Sequence, residues 1–117
     1  MLPNPQQFAI EWIDSWNSHD IERILSHYSD DFSITTPMIQ RLLGNNEGTL
    51  YGKKAIKKYW EDALEKVPDL HFELLDITLG VTSIALYYKS VFDTRAMEVM
   101  FFNDEGKIEK VVAHYSD

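Results

Sequence analysis

The chain has 117 residues, which suffices for one domain with a substantial core and is too short for two. Its 11 basic and 19 acidic residues give a net charge of -8, which disfavours nucleic acid and membrane surfaces as partners because both attract positive charge. Cysteine is absent, so disulfides and thiolate chemistry are excluded. A predicted helix starts so close to Met1 that we expect no signal peptide or membrane span, and hence a cytoplasmic protein.

Two short amphipathic helices are predicted at the start of the chain. Asn4 is a capping residue, and the proline after it suits the first helical position. The apolar residues that follow, including Trp12 and Trp16, fall on one helical face. Asp20 then caps a second short helix whose apolar stripe ends at Tyr28. Both helices need another element against which to bury these stripes.

A strand and a long loop are predicted next. Residues 32–36 alternate with the period of a half-buried strand, so Thr36 shares a face with the apolar residues of that strand. Pro37 ends the pairing. Residues 38–52 contain two glycines and two asparagines near their centre, and we interpret them as a surface loop that forms a rim or lid.

The remaining sequence predicts one strong helix followed only by strands. Apolar residues that include Tyr59 and Trp60 repeat at helical spacing over residues 53–67. The predicted strands cover residues 70–79, 81–92, 95–103 and 107–115. In the first of these strands the apolar phase switches between Leu74 and Leu75, which predicts a bulge or sharp bend.

The order of these elements predicts a fold class. Helices come first, strands come last, and no βαβ alternation occurs, which is typical of an α+β domain. We therefore predict a single domain over residues 1–117, with three N-terminal helices packed in a strongly curved, mostly antiparallel sheet.

Several short segments stand out by their order and spacing: Trp16-Asn17-Ser18-His19-Asp20, Tyr28-Ser29-Asp30-Asp31, Gly52 with Ala55 and Tyr59-Trp60, Pro68-Asp69-Leu70, and Gly106-Lys107-Ile108. Together they resemble the nuclear-transport-factor-2-like superfamily, in particular its SnoaL-like branch. The resemblance covers nearly the whole chain and implies a cone-shaped fold with one deep apolar pocket. Its members include ketosteroid isomerases, polyketide cyclases, dehydratases, epoxide hydrolases and non-catalytic binders, so it implies a pocket rather than one reaction.

The resemblance to ketosteroid isomerase can be followed at three positions. The tyrosine donor of that enzyme falls on Trp12, whose indole N–H donates a hydrogen bond but is not an acid. Its catalytic base falls on Thr36, and a threonine does not shuttle a proton at neutral pH. Steroid isomerisation by the same base is therefore not expected. The protonated acid of the isomerase, which donates a hydrogen bond, falls on Glu98.

Glu98 is the first catalytic candidate, because a carboxyl group among apolar neighbours has a raised pKa. Two alternatives depend on the preceding turn. A two-residue turn at Asp93-Thr94 would set Lys89 opposite Glu98, where the two would form an ion pair. A three-residue turn would set Ser90 opposite Glu98 and leave the carboxyl group without its lysine.

His114 is the second catalytic candidate, since it lies on a predicted buried strand near the end of the chain. The isomerase resemblance instead turns Val111, Ala113 and Tyr115 inward, which would leave His114 on the outer face. The four histidines of the chain show no metal-ligand spacing, so we expect no metal and no other cofactor.

These observations predict a homodimer that binds a small, largely apolar organic molecule, as an isomerase, cyclase or dehydratase. The alternative is a non-catalytic binding or interaction module of the same fold. The dimer is expected because residues 95–102 are apolar on both faces of their strand. The predicted ligand-binding residues are Trp12, Trp16, Tyr28, Thr36, Tyr59, Trp60, Met100 and Tyr115, although the aromatic ones are also typical of an ordinary core.

Overall fold

A computed structural model describes residues 2–116, and within this range the chain forms four α-helices and six strands. The helices are α1 (Pro5–Ser18), α2 (Ile21–Leu25), α3 (Pro37–Leu43) and α4 (Lys53–Lys66). The strands are β1 (Tyr28–Thr35), β2 (Thr49–Tyr51), β3 (Glu73–Leu79), β4 (Ser83–Lys89), β5 (Arg95–Phe102) and β6 (Ile108–Tyr115). A short 3-10 turn, Val91–Asp93, joins β4 to β5. None of the helices in residues 2–116 has both the length and the apolar character needed to cross a membrane.

The predicted caps of the first two helices are confirmed. The Asn4 side chain accepts a hydrogen bond from the Gln7 backbone N–H at 3.0 Å, at the start of α1. This helix ends at Ser18, and the positive φ of 61° at His19 turns the chain out of the helix. The Asp20 side chain accepts from two backbone N–H groups at the start of α2.

The six strands form one curved sheet in the order β2-β1-β6-β5-β4-β3. All neighbouring strands are antiparallel except β1 and β6, which are parallel. The pairing of β3 with β4 shifts register between Leu74 and Asp76, so the predicted bulge is confirmed. Helices α1 and α4 pack against the inner face of the sheet and enclose the core, which confirms the α+β prediction.

The prediction of a loop over residues 38–52 was wrong, because most of α3 and all of β2 fall in this range. The Thr36 hydroxyl accepts a hydrogen bond from the Met38 backbone N–H at 3.2 Å, and Pro37 occupies the first helical position. The same proline that ends one strand therefore starts a helix. Residues 2–116 consequently form four α-helices rather than the predicted three, and β2 adds an antiparallel edge strand beside β1.

Candidate functional site

The interior of the cone is filled by aromatic rings from α1 and the sheet. The Trp12 indole N–H donates a hydrogen bond to the Tyr28 hydroxyl at 2.9 Å, and both side chains are buried. The Trp12 ring contacts the rings of Phe72 and Tyr88, with centroids 6.0 and 5.4 Å away. This hydrogen bond fixes Trp12 and Tyr28 relative to each other inside an apolar environment, where an unpaired indole N–H would be costly.

A second group of rings closes the space between α1 and α4. The ring centroids of Trp16 and Trp60 lie 5.0 Å apart, and those of Tyr28 and Trp60 lie 5.1 Å apart. The Trp16 side chain is buried among these rings. Four predicted ligand-binding residues, Trp12, Trp16, Tyr28 and Trp60, thus come together, and they pack on one another.

Glu98 lies on the inner face of the sheet, as predicted, and is only 6% exposed. The sheet register sets it between Leu86 on β4 and Ala113 on β6. The Tyr88 hydroxyl donates a hydrogen bond to Oε1 of Glu98 at 2.6 Å, whereas Oε2 of the same carboxyl group is buried without a hydrogen-bond partner. Burial raises the pKa of Glu98 to about 7, although the Tyr88 hydrogen bond acts in the opposite direction.

Both predicted partners of Glu98 across the turn were wrong. The link between β4 and β5 spans five residues, 90–94, so Leu86 faces Glu98 and Lys89 faces Arg95. Lys89 is exposed, and within residues 2–116 no cation contributes to the pKa of Glu98. The turn is longer than expected because Val91–Asp93 forms a 3-10 turn in which Phe92 and Asp93 both have positive φ. This register excludes the alternative in which Lys89 forms an ion pair with Glu98.

Tyr88 is the residue near Glu98 that sequence reasoning missed. Its side chain is 1% exposed and lies on the same face of β4 as Ile84 and Leu86. Strand alternation places all three residues inward, and that signal was available in the sequence. Its contact with Glu98 was hidden by the wrong length assigned to the turn.

Three further tyrosines, Tyr28, Tyr59 and Tyr115, lie near enough to Glu98 for its charge to raise their pKa values. Burial raises the pKa of Tyr115, and the charge of Glu98 raises it further. Tyr59 is half-buried on α4, and burial followed by the charge of Glu98 raises its pKa to about 12. Burial also keeps the pKa values of Tyr28 and Tyr88 well above the usual range, so the tyrosines near Glu98 remain neutral hydrogen-bond donors.

The last two predicted site residues, Met100 and His114, lie on opposite faces of the sheet. Met100 is fully buried on the inner face, one inward position beyond Glu98 on β5. His114 is exposed and pairs with Met97 on the outer face, as the isomerase register implied. The structure therefore does not bring His114 together with Glu98, because β6 turns Ala113 rather than His114 toward the interior.

Among the surface clefts formed by residues 2–116, two can be described, and Glu98 lines neither of them. One of about 270 Å³ lies between the start of α1 and the β5–β6 turn, where Phe8, Glu11 and His27 line it. The other, of about 470 Å³, lies between the end of α4 and the β4–β5 link, where Val67 and Phe92 line it. A ligand bound in either cleft would therefore not contact Glu98.

The sequence matches the SnoaL-like domain over residues 9–111, and the fold agrees with that match, so the chain belongs to the SnoaL-like family. Among solved structures it is similar to a SnoaL-like protein of unknown function from Burkholderia thailandensis E264. The two are 43% identical, with a TM-score of 0.95, over 97% of this chain and 94% of that one. No curated protein matches the sequence.

More distant structures share the fold. An NTF2-like protein of unknown function from Cytophaga hutchinsonii ATCC 33406 has a TM-score of 0.71 at 12% identity, over 99% of this chain and 93% of that one. Another is the epoxide hydrolase/cyclase-like enzyme SalBIII, which has a role in pyran ring formation in the polyether salinomycin. It has a TM-score of 0.74 at 18% identity, over 96% of this chain and 90% of that one. At these identities the likeness concerns the fold alone.

Proposed function

We propose that this SnoaL-like protein binds a small, largely apolar organic molecule and acts on an oxygen atom of that molecule through Glu98. The observation that carries the proposal is the asymmetry of this buried carboxyl group. Oε1 accepts from Tyr88, while Oε2 has no hydrogen-bond partner and is left for a ligand. Buried side-chain polar atoms without a partner are uncommon in native proteins, and a catalytic role is one explanation for them.

The chemistry that follows is acid–base catalysis by a carboxyl group. With a pKa of about 7, Glu98 is present in both protonation states near neutrality. The protonated form donates a hydrogen bond or a proton to a ligand oxygen, and the ionised form accepts one. Isomerisation, cyclisation and dehydration all use such transfers, and none of them needs a metal or another cofactor here.

The aromatic side chains would supply the apolar surroundings of the ligand. Trp12, Trp60 and Met100 are packed in the structure, so a ligand must move them, whereas Tyr59 is half-buried and Tyr115 is partly exposed. We therefore propose that the ligand enters beside Tyr59 and Tyr115, where side chains have the most freedom to move.

A second candidate function is a non-catalytic binding or interaction module. The close packing of Trp12 and Trp60 against neighbouring rings favours it, because a filled interior does not require a substrate. In that case Glu98 would be a buried acid that remains protonated below its raised pKa and does no chemistry.

One experiment separates the two functions. The wild-type chain, Glu98→Gln and the exposed control Glu109→Gln are tested against a library of small apolar alcohols and ketones, with melting temperature and tryptophan emission as readouts. The catalytic proposal predicts saturable shifts for the wild type and Glu109→Gln, weakened shifts for Glu98→Gln, and turnover only where Glu98 is intact. Binding that is unchanged by Glu98→Gln, or no binding at all, would favour the non-catalytic module.

We also propose a cytoplasmic homodimer that forms through the outer face of the sheet. Support comes from a continuous apolar strip there, with Ala85 and Tyr87 on β4, Met97 and Val99 on β5, and Val112 on β6. Met97 is 41% exposed, and exposed apolar surface of this kind is typical of interfaces.

Sedimentation at micromolar concentration tests the dimer. We expect a dimer for the wild type and a monomer for Met97→Asp, because a buried unpaired charge opposes association. Val81→Asp is the matched control, since Val81 is 96% exposed in the β3–β4 turn and outside the strip. A wild-type protein that is monomeric at these concentrations would contradict the proposed dimer.

A further inference from the structure

Residues 67–72 connect α4 to β3 without forming a helix or a strand, and they separate part of the interior from solvent. Asp69 and His71 are exposed and line the larger cleft, of about 470 Å³. Leu70 and Phe72 alternate with them and are only 8% and 7% exposed. A single length of chain therefore forms the wall between that cleft and the core.

The ring of Phe72, on the inner side of this wall, covers the hydrogen-bond donor of Glu98. The Phe72 ring centroid lies 4.6 Å from that of Tyr88 and 6.0 Å from that of Trp12. Tyr88 in turn donates the 2.6 Å hydrogen bond to Oε1 of Glu98. Because Tyr88 and Glu98 are both buried, outward movement of the Phe72 ring would open a path for water to this pair.

The wall is held in place by side chains from the end of α1. Phe72 lies just before β3, and the Asn17 amide donates to the Phe72 carbonyl at 3.0 Å and accepts from the Phe72 N–H at 2.7 Å. One side chain thus satisfies both backbone groups of Phe72, as a paired strand would do. Nearby, Nε2 of the His19 ring donates to the Leu70 carbonyl at 2.7 Å. Two residues of the segment Trp16-Asn17-Ser18-His19-Asp20 therefore bind α1 to the wall.

We propose that Asn17 is a positioning residue of the Glu98 site. By binding the backbone of Phe72, it keeps the Phe72 ring against Tyr88 and so keeps water away from the carboxyl group. This inference deepens the proposed function and rests on it, because the enclosure serves catalysis only if Glu98 acts on a ligand. Asn17 acts through Phe72, so its loss should release the ring.

Removal of the Asn17 amide tests this proposal without a ligand. In Asn17→Ala both backbone groups of Phe72 lose their partner, and the segment is freer to move outward. We expect the pKa of Glu98 to fall by about 1 or more from its value of about 7, because water stabilises the carboxylate. A carbon-13 titration of the side-chain carboxyl group, assigned through Glu98→Gln, measures this change.

Asn45→Ala is the matched control, because Asn45 makes the same two kinds of hydrogen bond in the link between α3 and β2. Its amide donates to the Thr49 carbonyl at 3.0 Å and accepts from the Gly48 N–H at 3.1 Å. We expect this variant to lose stability as Asn17→Ala does, but to leave the pKa of Glu98 unchanged. A merely structural role of Asn17 would give the same result as this control.

A fall of the Glu98 pKa in Asn17→Ala alone supports the proposal. An equal pKa in the wild type and Asn17→Ala overturns it, and so does an equal fall in both asparagine variants, which would indicate general loosening of the fold. Hydrogen exchange of the wild-type Phe72 amide needs no variant, and we expect it to be about a hundredfold or more slower than in an unfolded chain. An unprotected Phe72 amide would also overturn the proposal.

Failure of this inference can be told apart from failure of the proposed function. A wild-type Glu98 with its ordinary pKa of 4.5 would contradict both. A raised wild-type pKa that Asn17→Ala does not change would contradict the role of Asn17 alone, and would leave the ligand test of Glu98→Gln unaffected.

Discussion

Two glutamates of this chain have opposite surroundings. Glu11, on the outer side of α1, accepts two hydrogen bonds from Arg23 at 3.0 and 2.8 Å, and its Oε2 lies 3.5 Å from His27 Nε2. The Arg23 hydrogen bond lowers the pKa of Glu11, whereas burial raises that of Glu98 to about 7. A charged partner fixes Glu11 in its ionised form, while a neutral tyrosine leaves Glu98 able to change protonation near neutrality. The charge of the hydrogen-bond partner therefore distinguishes Glu11, whose role is structural, from Glu98, the candidate catalytic acid.

The largest expected change comes from admitting water to the interior. Trp12→Ala removes a fully buried ring and should lower the free energy of unfolding by about 3–5 kcal/mol. Water in the space left behind should also bring the pKa of Glu98 down toward its ordinary value of 4.5. Urea denaturation measures the first effect and a carboxyl titration the second.

Ile10→Ala is the control for that substitution, because Ile10 lies on the same helix but is 53% exposed. We expect it to change stability by less than about 0.5 kcal/mol. An unchanged pKa of Glu98 in a folded Trp12→Ala protein would contradict burial as the cause of the raised value.

The next effect in size should come from Glu98→Gln. Because folding raises the pKa of Glu98 from 4.5 to about 7, its protonated form is favoured, and the stability this provides is full below 4.5 and declines as the pH rises through 7. Glu98→Gln should therefore match the wild type at low pH and be more stable above neutrality, by about 3 kcal/mol at most. Thermal or urea unfolding across this pH range measures the difference.

The exposed carboxyl group of Glu109 supplies the control, since Glu109→Gln should leave the pH profile of stability unchanged. A Glu98→Gln protein that is less stable than the wild type above neutrality would contradict the predicted sign of this stability difference. That result would mean that the ionised form of Glu98 is the one stabilised by the fold.

Tyr88→Phe tests the neutral partner directly. The Tyr88 hydrogen bond lowers the pKa of Glu98, so its removal should raise that pKa above the wild-type value. Above neutrality, where the ionised carboxylate loses its donor, we expect a destabilisation of about 1–3 kcal/mol. Tyr87→Phe serves as the control, and a lower pKa in Tyr88→Phe would be inconsistent with the hydrogen bond.

The smallest effect should come from the surface acid. Glu11→Gln breaks the pair with Arg23, but the Glu11 side chain is 44% exposed, so the cost should be below about 1 kcal/mol and should shrink in high salt. The pH dependence is opposite to that of Glu98. Because folding lowers the pKa of Glu11, its contribution is present above 4.5 and is lost as the pH falls through the lowered value. Unfolding at two salt concentrations checks both statements.

Long periodic segments of the sequence predicted most of the fold. The apolar stripe of α4 and the alternation along β5 extend over enough residues to define their faces, and the inward position of Glu98 follows from that alternation. The α3 helix was missed because it has seven residues beside a glycine-rich segment, too few to show a clear period.

Contacts between elements were harder to predict than their faces. Whether Lys89, Ser90 or Leu86 lies opposite Glu98 depends on the exact length of the β4–β5 link. Two residues with positive φ, Phe92 and Asp93, extend that link, and no glycine or Asn-Gly pair marks it in the sequence. A local conformation that the residue types disfavour therefore concealed the Tyr88–Glu98 hydrogen bond.

The central claim is that burial beside a neutral partner brings Glu98 into the range of acid–base chemistry. Carbon-13 NMR of the glutamate side-chain carboxyl groups, titrated with pH and assigned through Glu98→Gln, measures this most directly. We expect the Glu98 signal to titrate near 7, well above that of Glu11. A Glu98 pKa at or below 4.5 would show that the carboxyl group is ionised in the fold at neutrality, and would contradict the account.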